Sequence, residues 1–137
     1  MSLTKTAALV ALLTAAAMPA AAAAKPPLRD VTEIHDGLMA VGIADEIRNK
    51  CNDIDARMLS ALSYLNTLKN RAQALGYSYS EIDDYVTSKA EKKKMRADGE
   101  AFLRTKGVEP GDTRALCAFG RSEIDKGTAI GSLLRAK

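Results

Sequence analysis

Apolar positions recur at steps of three and four along the first half of the chain. They are Val31, Ile34, Leu38, Val41, Ala44, Ile47, Cys51, Ile54, Met58, Ala61, Leu65, Leu68, Ala72 and Leu75. That spacing lines side chains along one face of a helix. No period-two run of β-branched residues competes with it, so the chain is predicted to be helical nearly throughout. Asp30, with Glu33 three residues on, forms a variant capping box and predicts a first helix from there to about Lys50. Asn52-Asp53-Ile54-Asp55 carries side chains that hydrogen-bond local backbone. A break is expected there, followed by a second helix over about residues 54–75. One unbroken helix through both segments is the alternative, because neither Pro nor Gly enforces the break. Gly76 can take the left-handed conformation that closes a helix.

Further on, Ser80 with Asp83 predicts a short third helix carrying Ile82, Tyr85 and Val86. Ser88 with Glu91 predicts a fourth, reaching Lys106 and stopping at Gly107, with a thin apolar side of Met95, Phe102 and Leu103. Val108-Glu109-Pro110-Gly111 is a turn by composition. Asp112 caps a last full helix through Leu116, Cys117, Phe119 and Ile124 to Gly127, and a short segment from Ile130 to Leu134 follows. The expected fold is all-α, a small bundle of five or six helices.

The first 24 residues have a different character. Lys5 precedes an apolar run from Ala7 to Ala17, then Pro19 and the small-residue track Ala20 to Ala24. This is the layout of a cleavable secretory signal, with Ala22 and Ala24 supplying the small side chains that a signal peptidase needs. An uncleaved anchor is the alternative, but alanine gains little from lipid, and a spanning helix wants about 20 strongly apolar residues. No cysteine lies near the cut, which argues against a lipid-anchored lipoprotein. The expected organisation is a signal peptide at 1–24 and a single helical domain at 25–137, exported to a bacterial periplasm. A domain of that size buries roughly two-thirds of its unfolded surface around one core. It holds no second run long enough to span a membrane.

Charge adds little. Lys and Arg number 20 against 17 Asp and Glu. Lys5 is the sole charge in the leader, so the remainder is nearly balanced. A nucleic-acid binder would carry a clustered basic excess, and no nucleic-acid partner is expected. The two cysteines, Cys51 and Cys117, form an even pair suited to an oxidising compartment. They are expected to be bonded to each other, which in the loop-entropy account is worth roughly 4 kcal/mol. Two free thiols or a metal site are the alternatives. Two thiolates without a histidine cluster fall short of the four ligands that structural zinc takes, and neither a metal nor a cofactor is expected.

Candidate chemistry is sparse. His35, the single histidine, has no metal-ligand partner at helical spacing, and an exposed or structural role outweighs catalysis. Asp45-Glu46, Asp53 with Asp55, and Asp83-Asp84 are paired carboxylates in polar stretches, where solvated faces and caps account for them better than acid–base work. Lys89, Lys92, Lys93, Lys94 and Arg96 form the densest charge cluster and would suit an anionic surface. Glu91, Asp98 and Glu100 interleave it, as on a solvated helix face. Tyr64, Tyr77, Tyr79 and Tyr85 flank the turn after the second helix; packing of that corner accounts for most of them, and a partner surface is the alternative. The candidate interaction surface is therefore Tyr77, Tyr79, Tyr85, Lys92, Lys93 and Lys94. There is no glycine-rich phosphate loop, nucleophile elbow, HExxH helix, CxxCH or CxxC. No catalytic residue is assigned.

The segments Gly37-Leu-Met-Ala-Val-Gly-Ile-Ala-Asp-Glu-Ile-Arg48 with Cys51, Ala56-Arg57-Met58, Gly76-Tyr77 ahead of Tyr85-Val86, and Ile130-Gly-Ser-Leu-Leu-Arg135 carry a resemblance. Together they resemble an uncharacterised family of small exported alphaproteobacterial proteins, a domain of unknown function. Some members are encoded beside, or named after, subunits of respiratory NADH dehydrogenase (complex I). The resemblance covers essentially all of the domain, and Cys51 and Cys117 match the family's two cysteines. It transfers no activity. A subunit bearing a two-iron cluster would need four cysteines, so any service to the respiratory complex implied here is accessory, at the periplasmic face, without electron transfer.

The expected function is that of a non-catalytic exported interaction or accessory factor in the cell envelope, with a protein partner. A small-ligand-binding periplasmic protein, or an unrecognised enzyme with a cavity between helices, is the alternative. N-terminal sequencing of protein recovered from the periplasm is expected to begin at Lys25; recovery of a chain still carrying Met1 would favour the anchor.

Overall fold

The computed structural model of the protein describes residues 25–137. The expected signal segment lies outside the described residues. A 3-10 turn at Leu28–Asp30 leads into α1 (Thr32–Lys50), and a short strand β1 (Ile54–Ala56) precedes α2 (Met58–Ala74). Then come α3 (Tyr79–Thr87), α4 (Lys89–Thr105) and α5 (Thr113–Lys126). A second 3-10 turn at Gly131–Leu133 runs into β2 (Leu134–Ala136).

The all-α expectation holds, with five helices among the described residues and one added element. β1 and β2 pair antiparallel, with Ile54 opposite Ala136 and Ala56 opposite Leu134. The pairing extends through Arg57 N–H to Leu133 O at 2.8 Å and Lys137 N–H to Asp53 O at 3.0 Å. The break after Lys50 is therefore a turn and a strand. This excludes the unbroken helix and moves the start of the second helix from about residue 54 to Met58. The terminal segment expected at Ile130 to Leu134 likewise becomes a 3-10 turn plus a strand.

Two further expectations change. Asp30 does not cap α1; it sits in the 3-10 turn that buries Leu28, Val31 precedes α1 without a side-chain cap, and Glu33 instead bonds Arg71 at 2.8 Å. The third helix starts two residues early. Ser78 Oγ accepts from Glu81 N–H at 3.1 Å and Glu81 Oε2 accepts from Ser78 N–H at 2.6 Å, a complete capping box. These bonds, with Lys25 alongside, hold the Glu81 carboxyl below its ordinary pKa. Ser88 and Asp112 cap α4 and α5 as expected, accepting from Glu91 and Ala115 N–H. Gly76, Gly107 and Gly127 all adopt positive φ just past their helices, the conformation in which glycine avoids the Cβ penalty.

α1 is the central element and packs against α2, α4, α5 and β1. Its inward face, Ala40, Ile43, Ala44 and Ile47, joins Ile54, Leu116 and Phe119 in the main core. A smaller core under the N-terminal segment gathers Leu28, Ile34, Leu68, Ala72 and Tyr77. Of the apolar stripe read along the sequence, Met58 and Leu75 fall on the surface. Cys51 and Cys117 form a disulfide with their Cα atoms 5.6 Å apart, tying the residue after α1 to the middle of α5.

Two glycines permit this packing. An added Cβ at Gly37 would lie 2.6 Å from Leu68 Cδ2, and one at Gly120 would lie 2.8 Å from Ile47 Cγ2. Backbone thus approaches α2 and α1 more closely than a methyl allows. Gly42 and Gly99, equally interior to helices, meet no such obstacle.

Gly120→Ala is accordingly expected to destabilise the protein by about 1–3 kcal/mol through overpacking, whereas Gly42→Ala stabilises it by about 0.5–1 kcal/mol, as read by denaturant titration. Cys51→Ser under oxidising conditions is expected to lower the Tm by roughly 10 °C or more while leaving the helical circular dichroism in place.

Candidate functional site

The six residues expected to form an interaction surface do not share one surface. Tyr77 is buried at 7 % exposure, and its hydroxyl donates to Pro26 O at 2.5 Å, so its ring packs the smaller core. Tyr79 is open to solvent with Lys69 Nζ 4.9 Å above its ring, a weak attraction at an exposed site. Tyr85 is half-buried, and burial, reinforced by the nearby Glu91, raises its pKa. Lys92 and Lys93 are exposed on α4, while Lys94 turns to the opposite flank and meets Asp98 at 3.6 Å.

His35 joins α1 to α4. Its Nε2 lies 3.0 Å from Asp98 Oδ2 and its Nδ1 lies 3.1 Å from Asp36 Oδ1, with the side chain 17 % exposed. Burial opposes the charged ring, but the bonds to the two carboxylates and their charges outweigh it and raise the His35 pKa above 6.5. The same bond lowers that of Asp98. The arrangement is a polar clip between helices, with both ring nitrogens occupied.

Sequence reasoning missed the most exposed apolar side chains. Leu59 is 84 % exposed, Leu62 59 % and Met58 55 %. They occupy the first two turns of α2, where steps of three and four bring Leu59 beside Leu62 and Met58 beside Leu62. The flank continues through Ser60, Ser63 and Tyr64 into a shallow depression against Leu133. Leu59 and Leu62 lie off the main apolar stripe, and that misfit was the available signal.

The second feature is a groove of about 580 Å³ between α1 and α4, closed at one end by Tyr85 and Val86 and at the other by the loop from Val108 to Thr113. Leu38, Ile43, Met95, Leu103 and Leu116 supply its apolar lining, and Gly42 and Gly99 line it as well. Among the described residues, no group of three or more His, Cys, Asp and Glu side chains converges as a metal site would require. No helix among them is long and apolar enough to cross a membrane.

A small helical domain closed by one disulfide, with an exposed apolar flank and a groove along its central helix, is what the fold defines. The chain belongs to the family of unknown function DUF5333, whose sequence profile matches residues 26–135. No curated protein and no solved structure shows significant similarity to it. The disulfide suits an oxidising, non-cytoplasmic compartment.

The His35 clip makes stability depend on pH. A raised native pKa means that its contribution is fully present below about pH 6.5 and is lost as pH rises through the native value. For a surface pair the amount is at most about 1 kcal/mol. The Tm is expected to fall modestly between pH 6 and 8.5, and His35→Gln is expected to flatten that slope.

Proposed function

We propose that this protein is a non-catalytic interaction factor of the cell envelope that docks a protein partner through the start of α2. The observation that carries this reading is the exposure of Met58, Leu59 and Leu62 together, at 55 %, 84 % and 59 %. Single exposed apolar residues are ordinary on protein surfaces, but adjacent large ones mark sites that a partner covers. Tyr64 and the serines beside them supply the polar rim usual around such a core.

The partner suggested by the sequence resemblance is the respiratory NADH dehydrogenase complex, met from its periplasmic face in an accessory role. Two observations support an extracytoplasmic setting, namely the Cys51–Cys117 bond and the signal-like leader sequence. No step of chemistry is assigned.

Crosslinking and affinity capture of the tagged protein from solubilised envelopes, followed by mass spectrometry, is expected to recover subunits of the respiratory complex. The double variant Leu59→Glu, Leu62→Glu should lose at least nine-tenths of that recovery. Its Tm should stay nearly unchanged, because both sites are on the surface. Equal recovery by parent and variant would overturn the reading.

A further inference from the structure

Two interior helix glycines have no packing explanation, and both line the same groove. A Cβ at Gly42 would meet nothing within 4 Å, and one at Gly99 would make only ordinary contact, 3.7 Å from Ile43 Cγ1. Alanine fits at either position. Glycine there lowers helix stability by about 1 kcal/mol relative to alanine, and the missing side chains keep the space between α1 and α4 open. The contrast with Gly37 and Gly120, where a Cβ would press on the side chains of Leu68 and Ile47, separates glycines that close the fold from glycines that leave room.

The charges around this space are unequal in their freedom. Asp45 bonds Arg48 at 2.8 Å, Glu46 bonds Lys50 at 2.7 Å, and Glu91 bonds Arg29. Glu100 and Glu109 share Arg104 at 3.9 and 3.5 Å, and Asp112 accepts from the backbone of α5. Every lining carboxylate is therefore engaged. Lys92 and Arg96 also line the groove, and neither forms an ion pair with a described residue. They stand one turn apart in the N-terminal half of α4. Along the same stripe follow Gly99 and Leu103. From Lys92 to Leu103 the helix rises roughly 16 Å.

We infer that this groove binds a single-chain amphiphilic anion. The acyl or alkyl chain lies over Gly42 and Gly99 against Leu38, Ile43, Met95 and Leu103, and the carboxylate or phosphate head meets Lys92 and Arg96. A volume of 580 Å³ falls within the range of small-molecule sites. The apolar lining provides the affinity for the chain, and the two unpaired cations select the sign of the head. This site is distinct from the α2 surface, and the two readings stand or fall separately.

The test is isothermal titration of the purified, disulfide-bonded protein with laurate, lauryl phosphate and dodecyltrimethylammonium, each below its micellar concentration. Saturable one-to-one binding of laurate or lauryl phosphate is expected, at least about tenfold tighter than the cationic amphiphile. Preference between the two anions separates a fatty-acid source from a phospholipid-derived one. Gly42→Leu, which fills open space and leaves the fold intact, should abolish binding of all three. Lys92→Glu with Arg96→Glu should reverse the preference for charge, while Lys93→Ala, outside the groove, should change nothing. Absence of saturable anion binding, preference of the parent for the cation, or undiminished binding by Gly42→Leu would overturn the inference. So would a dimer in sedimentation equilibrium that Gly42→Leu dissociates, since the occupant would then be a second copy.

Discussion

The burial of one face of α1 is the interaction on which everything else depends. Ile47 has no exposed surface, and Ile43, Ala44 and Ala40 beside it are nearly as enclosed. Helices on three sides and the ribbon of β1 and β2 complete that enclosure. Two of these approaches depend on glycine. Gly120 lets α5 settle on Ile47, and Gly37 lets Leu68 of α2 settle on α1. The disulfide sits one turn beyond Ile47 and fixes the same junction covalently. Close packing and crosslink thus act at one place, and removal of either loosens the whole domain.

Much of the helical framework was legible in the sequence because its signals are local. The stripe along α1 from Ile34 to Ile47, the Ser88 and Asp112 caps and the glycine stops depend on residues a few positions apart, and they fall where expected. The ribbon was illegible for the converse reason. Each strand has three residues, too few to display alternation, and its partner lies at the other end of the domain. Ser78 and Ser80 each have an acidic residue three positions on, and local pattern could not choose between them. Glu81 reaches back to the Ser78 backbone with one methylene more than Asp83 would have had. At the first helix, the 3-10 turn that buries Leu28 leaves Asp30 outside α1.

The candidate sites were harder to read, and for different reasons. Leu59 and Leu62 could be seen only as apolar residues left over from the core pattern. The groove is made of what two helices lack at Gly42 and Gly99, and no spacing rule connects those positions. Tyr77 groups by sequence with a candidate surface because it flanks the turn after the second helix, yet the N-terminal segment folds over it through Pro26 and Lys25. An extended start to a domain can bury an aromatic from a distance that sequence does not reveal.

The register of the ribbon also governs how the protein comes into being. Ile54 pairs with Ala136, about 80 residues further along the chain, so its strand partner is made well after it. At about 5–20 residues per second that interval lasts several seconds, whereas helices form in about a microsecond. For that time α1 can exist as a helix while Ile47 and Ile54 have no cover from the C-terminal segment, leaving the growing chain open to capture by chaperones or by its own kind. Completion of the core therefore waits until Leu134–Ala136 reaches β1 and Cys117 reaches Cys51.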